Sequence, residues 1–107
     1  MEWSLDMIEK VTDYENQGNE TLKNLVSDEA VIINHVVMEP GQSFPAHITE
    51  YEVHIIIITG GISIGLGSQG VHEYMEGKMI TLPKGTVSAM SNPTDKKTEL
   101  FTVKIIS

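Results

Sequence analysis

Short runs of β-forming residues, each ended by a turn signal, succeed one another along most of this chain. The runs are rich in Val, Ile and Thr, and dipeptides such as Pro40-Gly41, Gly60-Gly61 and Asn92-Pro93 end them. Such runs at intervals of about 8 to 12 residues, with no long helical period, predict an all-β sandwich or barrel. We predict strands at residues 21–26, 30–39, 51–59, 62–66, 71–75, 78–82, 86–91 and 98–106.

The size of the chain limits how many cores it can build. Its 107 residues, of which 40% are hydrophobic, can bury one modest core. We therefore predict a single domain over residues 1–107. Within it, residues 21–107 form the barrel, and residues 1–20 form a partly irregular segment with a short helical turn at Ser4 to Lys10.

The charge and the residue types exclude several classes of function. A net charge of −8 argues against nucleic acid or an anionic membrane as a partner, because phosphate attraction needs surplus Lys and Arg. The chain has no cysteine, which rules out disulfides and thiol catalysis. Its start lacks a basic stretch followed by an apolar run, and its longest apolar run, Ile55 to Ile58, is too short to span a bilayer. We predict a cytoplasmic protein.

The segment Gly65 to Gly70 matches the dinucleotide pattern G-x-G-x-x-G. That pattern binds pyrophosphate only where its glycines lead into a helix. Here the residues that follow, VHEYMEG, have no helical stripe and soon reach another glycine. We interpret the match as a glycine-rich hairpin turn and expect no nucleotide site.

Between Gly41 and Asn92, glycine, histidine, proline and asparagine residues form two groups with characteristic spacings. In a first group, five residues separate Gly41 from His47, and Gly61 closes the group. In a second group, five residues separate Gly77 from Pro83, and Lys84, Gly85 and Asn92 follow. This pattern resembles the two sequence motifs of the cupins. The resemblance implies a double-stranded β-helix, the jelly-roll barrel of small single-domain cupins of the cupin 2 type.

The cupin resemblance also implies where a metal would bind. In the family, two histidines and a glutamate of the first motif and one histidine of the second bind a divalent metal. By that spacing, His47 keeps the first histidine position of this chain. The remaining three positions hold Thr49, His54 and Ser88. The resemblance therefore implies a degenerate metal site.

A carboxylate near His54 could complete a smaller ligand set. Residues two apart on a strand share a face, so Glu52, His54 and Ile56 point the same way. If that face lines the barrel, His47, His54 and Glu52 suit iron(II), manganese, zinc or nickel. Two alternatives stay open: a neutral core histidine at His54 and a solvated carboxylate at Glu52. We expect the pocket around the site to include Thr49, Ile56, Ser88, Met90 and Met38.

Three functions from different classes follow. The first is a cupin-like barrel that holds a divalent metal, with catalysis on a small organic molecule left open. The second is a metal-free barrel that binds a small ligand as a carrier or sensor, and the third is a scaffold for interactions. Apolar residues at Trp3 and Leu5 and in the run LFTVKII from Leu100 to Ile106 also favour a homodimer. Whether the protein is an enzyme is left open at this point.

Overall fold

A computed structural model describes residues 8–15 and 21–107 of the chain, and these residues form nine β-strands and no helix. Accordingly, no helix in this part of the chain has the length and apolar character to cross a membrane. The strands are β1 (Leu22–Ser27), β2 (Val31–Met38), β3 (Ser43–Ile48), β4 (Glu52–Thr59), β5 (Gly61–Leu66), β6 (Val71–Met75), β7 (Met79–Leu82), β8 (Val87–Ser91) and β9 (Thr98–Ile105).

Eight of these strands match the predicted ranges to within a residue or two, and β3 was not predicted. Its sequence contains Pro45, which removes a backbone donor and argues against a strand. The chain accommodates this proline where the pairing of β3 with β8 is irregular, between Phe44 and His47. The helical turn predicted at Ser4 to Lys10 lies partly outside the described residues, and the described residues 8–10 are not helical.

The strands form two antiparallel sheets that enclose one core. The five-stranded sheet has the order β1-β2-β9-β4-β7, and the four-stranded sheet has the order β3-β8-β5-β6. This arrangement confirms the predicted all-β fold. The buried core residues come from both sheets: Val36, Met38, Val53, Ile55, Ile57, Ile62, Ile64, Leu82 and Leu100.

Strand β9 runs through the middle of the five-stranded sheet and shows how the interior is layered. Its inward residues are Thr98, Leu100, Thr102 and Lys104 in order along the strand, since alternate residues share a face. Cross-strand partners share that face, so Met38 lies beside Thr98. Thr98 and Leu100 are fully buried, whereas Thr102 and Lys104 border a cavity. The barrel therefore has a closed end near Thr98 and an open end near Lys104.

Two buried polar side chains hold the closed end together. The Asn92 amide donates to the carbonyls of Met38 (2.9 Å) and Lys96 (2.7 Å), and its oxygen accepts from the backbone N–H (2.9 Å) and the hydroxyl (2.8 Å) of Thr94. The Thr98 hydroxyl donates to the carbonyl of Gly61 and accepts from its N–H. The asparagine of the second motif is thus a fully hydrogen-bonded structural residue.

The glycine-rich segment Gly65 to Gly70 joins β5 to β6 as a hairpin, as predicted. Gly65 pairs with Val71 across the turn, and Gly67 and Gly70 have positive φ angles of 53° and 94°. A strand rather than a helix follows the glycines, so the segment lacks the helix N-terminus that a pyrophosphate site needs.

Candidate functional site

A cavity of about 290 Å³ lies between the two sheets at the open end of the barrel and is accessible to solvent. Its walls are mainly apolar and come from Leu22, Val36, Phe44, Pro45, Val53, Ile55, Ile64, Leu82 and Met90. Six polar side chains also line it: Asn34, His47, Thr49, Ser88, Thr102 and Lys104. Within the described part of the chain, no carboxylate borders this cavity.

The register of β4 decides which of its residues reach the cavity. Val53 and Ile55 line it, and Ile57 is buried in the core behind it. The alternation of the strand therefore turns Glu52, His54 and Ile56 to the outer face of the five-stranded sheet. The condition for the predicted ligand set, that this face lines the barrel, is thus not met, and Ile56 lies outside the pocket where we predicted it.

His54 has partners on that outer face. Its Nδ1 lies 2.9 Å from the hydroxyl oxygen of Thr81 on the neighbouring strand β7, and its Nε2 lies 3.4 Å from a carboxylate oxygen of Glu52. His47, by contrast, is on β3 in the other sheet and borders the cavity. The structure therefore does not bring His47 and His54 together. Among residues 8–15 and 21–107 there is no group of three side chains suited to hold a metal ion.

His47 is the one residue of the predicted ligand set that reaches the cavity. It is exposed at the open end, and it lies opposite Ser88 in the pairing of β3 with β8. Its only described polar contact is long, with Nδ1 at 3.4 Å from the carbonyl oxygen of Pro45. The imidazole is therefore available to a bound molecule.

Thr49 lines the cavity, but its hydroxyl already forms two hydrogen bonds within the protein. It donates to the carbonyl of Pro83 and accepts from the N–H of Thr86, each at 2.9 Å. Backbone hydrogen bonds also join Thr49 to residues 85 and 86. At this position, where cupins carry a metal-binding histidine, the threonine closes the turn between β7 and β8.

Ser88 and Met90 both line the cavity as predicted, whereas Met38 does not. Ser88 is 5% exposed, and its hydroxyl has no hydrogen-bond partner among the described residues. That oxygen is not sealed off from solvent and so faces the cavity. Met38 is instead fully buried at the closed end beside Thr98, which corrects its predicted place in the pocket.

Asn34, a buried residue of the cavity wall, belongs to neither motif and was not predicted. The Asn24 side-chain amide is oriented by the carbonyls of Val26 (3.0 Å) and Ile33 (3.4 Å) and donates to the side-chain oxygen of Asn34 (2.9 Å). The amide nitrogen of Asn34 has no described acceptor and is left for the cavity. The available signal was a polar residue within the otherwise apolar inward series of β2.

Thr102 and Lys104 also belong to neither motif. They lie in the apolar run from Leu100 to Ile106, which we interpreted as part of a dimer interface. Lys104 borders the cavity and is partly buried. None of the ion pairs in the described part of the chain includes it. The open end therefore carries a cationic side chain without a charged partner.

A second polar cluster lies on the outer face of the five-stranded sheet, away from the cavity. His35 is only 2% exposed, and its Nε2 is 2.7 Å from a carboxylate oxygen of Glu99. The rings of Tyr14 and Phe101 pack against the imidazole with centroids 5.3 and 5.0 Å away. This cluster fastens residue 14 of the N-terminal segment to the sheet, which gives His35 a structural role.

Residues 34–104 match the sequence profile of the cupin domain. The chain is a cupin. Over 92% of its length it is 34% identical to an uncharacterized protein of Methanocaldococcus jannaschii, and the match covers 85% of that protein. The crystal structure of an RmlC-like cupin family protein from the same organism has a double-stranded β-helix fold. It superposes with a TM-score of 0.85 at 34% identity over 92% of each chain.

More distant structures agree on the fold alone. A cupin domain from Bordetella pertussis superposes with a TM-score of 0.70 at 18% identity, over 80% of this cupin and 92% of that chain. A protein of unknown function from Streptococcus pyogenes gives 0.75 at 19% identity, over 100% and 96%. The comparisons confirm the double-stranded β-helix.

Cupins often bind divalent metals, but the open end of this cupin does not fit one. It offers one imidazole, from His47, and the hydroxyl of Thr49 is engaged in the turn. No carboxylate of the described residues lines the cavity to balance the charge of a cation, and the ammonium group of Lys104 would repel it. Three protein ligands are typical even of open catalytic zinc sites. The residues present suit an organic molecule better than a metal ion.

Proposed function

We propose that this cupin binds a small organic molecule in the open end of its barrel without a metal, as a carrier or sensor. The observation that carries the proposal is the cavity itself, with apolar walls and a few polar groups that lack protein partners. Its volume of about 290 Å³ is at the lower limit of about 300 to 1,000 Å³ typical of ligand pockets. A small ligand is therefore favoured.

Two features support binding rather than a purely structural barrel. Polar groups of nearly buried residues normally form hydrogen bonds with the protein or with ordered water. The hydroxyl of Ser88 and the amide nitrogen of Asn34 have no described partners, and both border the cavity. A bound molecule, or the water that it displaces, would satisfy them.

Elemental analysis and ligand detection together test this function. Protein purified without an affinity tag or chelator should contain no stoichiometric metal and should take up none from iron(II), manganese, zinc or nickel under anaerobic conditions. In a thermal-shift screen, small molecules with apolar bodies should raise the melting temperature, because a ligand that binds only the folded state stabilises it. Stoichiometric metal that disappears in His47→Ala would contradict the proposal and restore the metal hypothesis.

A matched pair of variants locates the binding site. Ser88→Phe places a large ring in the cavity and should abolish the thermal shift of any ligand found, whereas His54→Phe adds a ring to the outer face and should leave the shift unchanged. If no compound stabilises the wild type, or if both variants respond like the wild type, the cavity is not a ligand site and the scaffold hypothesis takes its place.

Association into a homodimer and a cytoplasmic location stay predictions. The outer face of the five-stranded sheet carries exposed apolar side chains at Ile58 and Met79, and a second copy would bury such residues. Light scattering that returns the mass of one chain across a wide concentration range would exclude the dimer.

A further inference from the structure

We infer that the ligand of the open end is a small monocarboxylate, whose carboxylate group is held near Lys104 and whose apolar body extends toward Ile64 and Met90. This inference rests on the proposed function, since it names the chemical class that the same cavity accepts. Three properties of the cavity lead to it: where its polar groups lie, which of them donate, and how they are charged.

The polar groups of the five-stranded sheet are gathered at one place. Asn34 and Thr102 are direct cross-strand partners on β2 and β9, and Lys104 is the next inward residue of β9. The next layer toward the closed end is apolar, with Val36 and Ile57 on either side of Leu100. A molecule that fills the cavity therefore meets polar groups at its outer end and hydrocarbon along its body.

Two of these polar groups, those of Asn34 and Lys104, can only donate. The side-chain oxygen of Asn34 already accepts from Asn24, which leaves the two amide protons of its nitrogen. An ammonium group such as that of Lys104 has three donors and no acceptor. The unpaired hydroxyl of Ser88, from the opposite sheet, can donate as well as accept. A ligand complementary to this set presents acceptor oxygens.

The charge of the cavity points to an anion. The chain has 15 acidic residues against seven basic ones, yet no described acidic residue lines the cavity, and Lys104 does. Glu50 borders the mouth together with Lys104 and His47, but it is exposed and forms no ion pair with the lysine. A carboxylate bound to Lys104 would gain charge-assisted hydrogen bonds. One lysine and apolar walls would leave a polyanion such as a phosphate ester with uncompensated charge.

Three probes with the same six-carbon body test the inference: hexanoate, hexanamide and hexylammonium. They differ at the head group, which is anionic, neutral or cationic. Titration calorimetry or ligand-detected NMR on the wild-type protein should give the tightest binding for hexanoate, weaker binding for hexanamide and none for hexylammonium. Higher salt should weaken the binding of hexanoate and leave that of hexanamide unchanged.

The variant Lys104→Met removes the charge and keeps much of the side-chain length. It should weaken hexanoate binding by about tenfold or more and leave hexanamide binding unchanged, because charge-assisted hydrogen bonds are the stronger ones. Lys97→Met makes the same charge change at an exposed residue paired with Glu39, outside the cavity, and should bind all three probes like the wild type.

The outcomes separate this inference from the proposed function. If hexanamide binds as tightly as hexanoate to the wild type, the carboxylate inference is overturned while an apolar ligand site stands. If none of the probes binds and the compound screen is also empty, both fail. The wild-type comparison needs no variant, so poor folding of Lys104→Met would not leave the question open.

Discussion

The two ends of the barrel use buried polar residues in opposite ways. At the closed end, Asn92 makes four hydrogen bonds and Thr98 makes two, all with groups of the protein. At the open end, the amide nitrogen of Asn34, the hydroxyl of Ser88 and the ammonium of Lys104 have no described partners. The difference separates polar residues that stabilise the fold from polar residues that, under the proposed function, would contact a bound molecule.

The largest expected effect comes from exchanging a polar side chain at each end for alanine. Asn92→Ala leaves the carbonyl of Met38 without its donor in a buried place and should cost about 3 kcal/mol of unfolding free energy. Ser88→Ala removes no hydrogen bond and should change the free energy by less than about 0.5 kcal/mol. Urea denaturation of both variants measures the contrast. Equal losses of unfolding free energy in the two variants would contradict the difference in hydrogen bonding between the two ends.

Substitutions at two glycines test how tightly the closed end is packed. Gly60 has φ of 80°, and a Cβ there would lie 2.5 Å from the hydroxyl oxygen of Thr98, which bonds Gly61. Gly67 has φ of 53° but nothing within 4 Å of such a Cβ. Gly67→Ala should cost about 1 kcal/mol for the backbone conformation alone. Gly60→Ala should cost at least about 2 kcal/mol, since it also displaces Thr98.

Thermal denaturation of the two glycine variants checks this expectation, and each kcal/mol corresponds to roughly 4 to 8 °C in melting temperature for a domain of about this size. A Gly60 variant no less stable than the Gly67 variant would mean that the packing around Thr98 is looser than the structure has it.

The smallest expected effect concerns a paired polar group outside the cavity. Asp28 accepts from the N–H groups of Ala30 and Val31 at 2.8 and 2.9 Å, and these backbone hydrogen bonds lower the pKa of its carboxyl group from its usual value. A carboxylate whose pKa is lower in the folded than in the unfolded state adds stability above the unfolded pKa. This stability is lost as the pH falls through the folded pKa.

Asp28→Asn keeps a side-chain oxygen as acceptor and removes the charge. It should be slightly less stable than the wild type at neutral pH, and the difference should vanish as the pH falls below the pKa of the folded state. Urea denaturation across the range from neutral to acid pH measures it. A difference that stays constant over that range would mean that the charge of Asp28 does not contribute.

Local patterns in the sequence were sufficient to predict most of the fold. The turn signals located eight strands, and the motif spacings identified the cupin barrel and the structural glycines around it. The candidate site was predicted only in part. His47, Thr49, Ser88 and Met90 reach the cavity, whereas Asn34, Thr102 and Lys104 were missed because single polar residues within apolar strands carry no motif.

The strand β4 marks the boundary between what the sequence and the tertiary structure each decide. Its alternation determined that Val53, Ile55 and Ile57 share one face and that Glu52, His54 and Ile56 share the other. The motif spacing placed His54 at a metal position and so favoured the second face, although only the first is wholly apolar. The pairing with β9 decides which face is inside, because Ile57 and Ile55 lie beside the inward residues Leu100 and Thr102. A one-residue shift in that register would have turned His54 inward.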